Sequence, residues 1–212
     1  HSDDGAAYSI QVPASTKFPV RLEMTGGIDI VTNEPVKTVI KSLVTEKASG
    51  TANISPITTL IYDAAVAKTG GLENILGEDA ERVTSLVLTG FGFGVDAQDE
   101  AINPITTPIV SSNMASYVKA NQSVIELVKR VAGTDTETQQ LIFSALAEDI
   151  LDGKKNGKNG SEDLQATLPE GVTAGEITAK VQIHTAAISL ETITNTLEIT
   201  TADNQRLSAE DT

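Results

Sequence analysis

Hydrophobic residues recur with two different periods along this chain, and the change of period divides it. From Tyr8 to Val44 the spacing is two. Tyr8, Ile10 and Val12 share one face of an extended segment, and Phe18, Val20, Leu22 and Met24 repeat the pattern between Pro19, Arg21 and Glu23. Gly26-Gly27 marks a turn, Ile28 and Ile30 follow, Asn33-Glu34-Pro35 marks another turn, and Val36–Val44 runs on. Alternation between Gly and Pro breakers predicts three or four short strands. So small a sheet needs a helix or a partner over its apolar face.

After the polar stretch 47–53 the spacing becomes helical. Ser55-Pro56 opens a helix as N-cap and first helical residue, with Ile57, Leu60, Ile61, Ala64 and Ala65 as its inner stripe and Gly70-Gly71 as its stop. Leu72–Leu76 reads as a short helical turn. Glu78–Leu88 reads as a helix with acids in its first turn and Val83, Leu86 and Val87 inward, closed by Gly90-x-Gly-x-Gly94. Residues 95–108 form a polar connection. Ile109–Val131 reads as a long helix, bent or broken near Asn121, that buries Met114, Tyr117, Val118, Ile125 and Val128. Thr134 and Glu137 have the spacing of a capping box that starts a helix through Leu141, Ile142, Ala145, Leu146 and Ile150. The loop Asp152–Gly160 follows. Thr173 and Glu176 form a second box, ahead of a stripe of Ile177, Val181, His184, Ile188 and Leu197.

This pattern predicts a mainly α protein: a helical bundle with a small N-terminal antiparallel β element. Residues 1–46 are the β segment packed on the helical part, 47–200 the α-helical domain, and 201–212 a polar tail. The expected core is Ile57, Leu60, Ile61, Val83, Leu86, Val118, Val128, Leu141, Ile142, Leu146, Ile150, Val181 and Ile188.

Composition narrows the function classes. Aromatic residues are 3% of the 212 and Trp is absent, so the core is aliphatic and platforms for stacking bases or sugars are few. The formal net charge is −14, and acids outnumber bases most in residues 161–212, 9 to 2. Such a field disfavours nucleic acid and anionic membranes. No apolar run has the length of a membrane span. With no cysteine there is no disulfide, thiolate site or Cys nucleophile. That the chain opens on His1 rather than Met fits a removed signal peptide, and equally a tag remnant.

Four segments, GGIDIVTNEPV (26–36), ANISPITTLIYDAA (52–65), LTGFGFGVDAQDEAINP (88–104) and ALAEDILDGKKNGKNG (145–160), occur in that order. Together they resemble a module of large secreted and surface-anchored bacterial proteins, of the adhesin or lipoprotein kind. The resemblance spans residues 26–160. It implies an extracellular or cell-surface address and a structural or adhesive setting, and it brings no catalytic activity. This chain departs from the module in having Lys and Asn in the last loop, where acids are common.

Candidate chemistry is sparse. Asp152, Lys154, Asn156, Gly157 and Asp163 fall at positions one, three, five, six and twelve of a Ca²⁺ loop, but Lys154 cannot be a ligand and Asp163 is shorter than the usual Glu. Asp96, Asp99 and Glu100 form a second acidic cluster, which a solvated loop explains as well as a cation does. A free amino-terminal His1 could chelate copper with His184 as a second ligand, although His184 falls on an apolar stripe. The glycines at 90–94 follow a helix rather than a strand, against phosphate binding. No nucleophile elbow occurs. These residues predict no enzyme. The expected function is adhesion or extracellular assembly by self-association or with other surface proteins, a filament subunit being one form of it, with Tyr8, Ile10 and Val12 as the contact. The alternative is a secreted small-ligand or metal-binding protein, using Ca²⁺ or Cu.

Overall fold

A computed structural model describes residues 8–28, 35–46, 50–95 and 102–185. In these, the elements run β1 (Val20–Met24), β2 (Ile40–Val44), α1 (Pro56–Thr69), α2 (Gly77–Phe91), α3 (Met114–Ala132), α4 (Thr136–Asp149), β3 (Lys158–Asn159), β4 (Glu162–Asp163) and a helix over residues 174–185, here α5. The protein is mainly α, with two small antiparallel strand pairs, β1 with β2 and β3 with β4.

Helix α1 is the centre. It packs against α2, α3, α4 and β2, and every residue from Ile57 to Ala65 is buried. A helix buried all round cannot turn polar groups to water, so its Thr58, Thr59 and Asp63 side chains each have a partner. Ser55 accepts from Thr58 N, and Thr58 Oγ1 accepts from Ser55 N, closing a capping box ahead of Pro56. The Asn121 side chain reaches from α3 to accept from Ile57 N at 3.0 Å. Gly70, in the left-handed region at φ 74°, ends the helix.

The β pair docks on this helix through the first turn of α1. Lys41 N donates to Thr59 Oγ1 at 2.9 Å, and Thr58 Oγ1 donates to Lys41 O at 2.7 Å. Both threonine hydroxyls are buried and occupy the outer edge of β2. Below them Lys41 Nζ pairs with Asp63 Oδ1 at 3.0 Å and lies over the Tyr62 ring, while Ser144 of α4 donates to the other Asp63 oxygen. Desolvation pushes the Asp63 pKa above its ordinary value, against the pull of Lys41.

Several expectations need correction. Among the described residues of the N-terminal region two strands form, where the alternation predicts three or four: Tyr8 is a single bridge residue with residues 9–13 outside any strand, and Ile28 makes an isolated bridge with Pro35. Helix α3 begins at Met114 and is unbroken at Asn121, because the Asn121 side chain both caps α1 and donates to Tyr117 O. Its buried face is Tyr117, Ala120, Ser123, Val124, Leu127, Val128 and Val131, so Val118 is only half-buried. Small Ala120 and Ser123 are fully buried on that face. Leu86 and Leu141 are half-buried, and Ile188 lies outside the described residues. The cap of α4 is Asp135, which accepts from Thr138 N at 2.7 Å, in place of Thr134. Helix α2 runs on to Phe91, and Thr173 with Glu176 makes the expected reciprocal box.

Leu146 is 1% exposed at the α1–α4 contact, and its truncation to Ala should cost about 2–5 kcal/mol in denaturant unfolding. Asp63→Ala strands the Lys41 charge and should cost roughly 3–5 kcal/mol, whereas Lys41→Met with Asp63→Leu should recover most of that loss. Equal destabilisation in the single and double variants would show that the pair is not the source.

Candidate functional site

Two regions carry the candidate residues. The first is the N-terminal segment. Tyr8, Ile10 and Val12 are 38%, 55% and 40% exposed, and residues 9–13 pair with no strand. The Tyr8 hydroxyl donates to Ala52 O, just before α1, and a turn closed by Thr16 N on Pro13 O leads from the segment toward β1. Period two made the segment look like a strand, but apolar alternation does not supply a pairing edge.

That edge has a definite geometry. In an antiparallel pair, residues whose backbone groups point at the partner alternate with residues whose groups point away. Lys41 gives its N–H and C=O to Thr59 and Thr58, so they point away from β1. Its partner in register is Glu23, and Leu43 stands opposite Arg21. By the same alternation the backbone groups of Arg21 and Glu23 point outward, at an edge that no described strand covers. Among the described residues, the edge of β2 is closed and the edge of β1 is open. The side chains divide likewise. Arg21, 6.0 Å above the Tyr62 ring, and Glu23, paired with Arg21 at 3.0 Å, lie on the α1 side. Val20, Leu22 and Met24 lie on the other side with Ile40, Ser42 and Val44, and exposure on that side rises from 2% at Ile40 to 37% at its partner Met24.

The second region is the loop after α4. Asp149 Oδ1 accepts from three backbone amides, Asn156 N at 3.0 Å, Gly157 N at 2.6 Å and Lys158 N at 3.1 Å. Glu148 accepts from Gln165 N and Ala166 N, and Asp152 accepts from Lys154 N and Gly160 N. Seven amides of the segment 154–166 thus end on three carboxylates. Gly157 has φ 78°, and a Cβ there would meet Thr178 Oγ1 of α5 at 2.9 Å, so this glycine serves both the turn and the helix packed on it.

The expected metal residues fall in this loop, with another arrangement than a Ca²⁺ loop has. Both Asp152 oxygens bind amides, and Asn156 Oδ1 accepts from Lys158 N. The Asp163 side chain stands in solvent, 93% exposed, at 4.0 Å from Lys158 Nζ. The inward carboxylate is Asp149, three residues before the pattern begins. Among the described residues no three of His, Cys, Asp or Glu are grouped to hold a metal ion. His1, Asp96, Asp99 and Glu100 lie outside the described residues, and His184 is half-buried on α5.

Sequence reasoning missed Glu148 and Asp149, though they leave a signal. Acids in the last turn of a helix oppose its dipole, so a pair at that place needs other donors. Lys155 lies alongside, donating to Gly90 O at 2.8 Å above the Phe91 ring. Burial lowers its pKa, and Asp149 acts to raise it.

No helix among the described residues is long and apolar enough to cross a membrane. Compared with protein-family models, with curated proteins and with solved structures, the chain matches none.

Two predictions concern these carboxylates. Asp149→Ala leaves three amides unpaired and should cost about 2–5 kcal/mol, with the segment 154–166 opening to protease first. Carboxyl titration by NMR should separate two classes. Hydrogen bonds to Thr138 and Thr173 lower the pKa of Asp135 and Glu176 below the ordinary 3.8 and 4.5, so the stability they contribute is present above those values and disappears as pH falls through the lowered ones. Burial raises Asp63 and Asp149, so their ionised forms oppose folding, and the folded state gains from them as pH falls through the raised values. Four coincident titrations would contradict the assignment.

Proposed function

We propose that this chain is a non-catalytic structural module of a secreted or surface-displayed bacterial protein, and that it associates with copies of itself through residues 8–12. One observation carries the reading: residues 9–12, a short segment of strand-like alternation, stand exposed and pair with no strand, and no described strand covers the β1 edge of the sheet. Ile10 and Val12 face water at an energetic cost, and a bound strand returns it. The order of the four sequence segments that resemble a surface-protein module supports the setting. The acidic surface keeps separate copies soluble and repels nonspecific contacts elsewhere.

The alternative, a secreted small-ligand or metal-binding protein, finds less support in the packing. Helix α1 has neighbours on all sides, and a shallow hollow of about 270 Å³ lined by Gly171, Val172, Glu176, Ala179 and Lys180 is open to solvent.

Light scattering over a concentration series tests the proposal. The intact chain should grow in mass with concentration, and a chain lacking residues 1–13 should stay monomeric with its helical circular dichroism unchanged. Association that survives the deletion would falsify the role of the segment. Calcium or copper that binds with measurable heat and leaves the mass unchanged would favour the alternative.

A further inference from the structure

Resting on that reading, we propose that the acceptor of residues 8–12 is the open edge of β1 in a second copy of this chain, in antiparallel register with Ser9 opposite Glu23, Ile10 opposite Leu22 and Gln11 opposite Arg21. The two five-residue segments match in length and in period. The backbone groups of Arg21 and Glu23 point outward, so their bonded partners are Gln11 and Ser9. Tyr8, Ile10 and Val12 then extend the apolar side formed by Val20, Leu22 and Met24, and polar Ser9 and Gln11 join Arg21 and Glu23 on the other. A shift of one residue would reverse the faces, which makes the register specific.

Charge selects a second copy as the occupant. The whole chain carries −14, so copies repel each other over most of their surface. Residues 8–24 do not share this charge, with Lys17 and Arg21 against Glu23 and no charge at all from Tyr8 to Thr16. Donor and acceptor both lie in this stretch, where two copies approach without like-charge repulsion. Within one chain, the Tyr8 hydroxyl donates to Ala52 O and a turn at Pro13–Thr16 follows the segment, and residues 9–13 pair with no strand, β1 included.

Absence of cysteine makes the register directly readable. Chains carrying Ser9→Cys and chains carrying Glu23→Cys are mixed and oxidised. A disulfide-linked heterodimer should form, while the mixture of Ile10→Cys with Glu23→Cys, whose thiols lie on opposite faces, should give little. In parallel, Glu23→Pro removes an outward N–H that β2 does not use, a change an edge strand tolerates. It should weaken association roughly tenfold or more, with the helical signal retained. If Glu23→Pro fails to fold, the crosslinking pattern decides alone. Undiminished association of Glu23→Pro, or equal crosslinking by the two mixtures, overturns the β1 acceptor and leaves self-association standing. An intact chain that is monomeric at every concentration overturns both.

Discussion

The complete burial of the first turns of α1 constrains everything around it. Residues 57–65 contain Thr58, Thr59 and Asp63 among aliphatic neighbours. A buried polar group without a partner costs about 1–3 kcal/mol, so each must find one, and the partners come from distant parts of the chain. Thr58 and Thr59 take the backbone of Lys41, Asp63 takes the Lys41 ammonium and the Ser144 hydroxyl, and Asn121 takes the amide of Ile57. One helix thereby fixes the positions of β2, α3 and α4. The Ser42 hydroxyl, buried with no partner among the described residues, is an exception for which we have no physical account.

The same rule shapes the periphery. A two-stranded sheet has two edges. The threonines of α1 close one of them, and no described strand covers the other, at β1. At the opposite end of the chain the loop after α4 forms almost no secondary structure, and the carboxylates of Glu148, Asp149 and Asp152 take the amides that a ladder would have taken. Side chains finish what strands and helices leave open, except along β1.

What was legible in the sequence was local. Ser55-Pro56, Gly70 and the Thr173–Glu176 box act within four residues, and each is found where the pattern places it. Thr134-Asp135-Thr136-Glu137 offers two caps one residue apart, and local pattern cannot choose between them. The face of α3 was misread because large residues such as Val118 draw attention, while small ones, Ala120 and Ser123, are fully buried. The mainly α character with a small β element came through, since helical period persists over four long segments. The partners of Asp63, of Asp149 and of the Thr58–Thr59 pair were not legible. They depend on contacts 7 to 81 residues away, which no spacing encodes. Tyr8, Ile10 and Val12 were visible as a candidate contact, but the edge that could receive them emerged only with the register of β1 on β2.

Amide hydrogen exchange in β1 and β2 tests the central claim, that α1 closes one sheet edge and leaves the other open. At low concentration the Lys41 amide, bonded to Thr59 Oγ1, should exchange slowly, near the rate of global unfolding, while the Arg21 and Glu23 amides exchange fast. On raising the concentration Arg21 and Glu23 should become protected and Lys41 should not change. Fast exchange at Lys41, or protection of Arg21 and Glu23 that does not depend on concentration, would contradict the account.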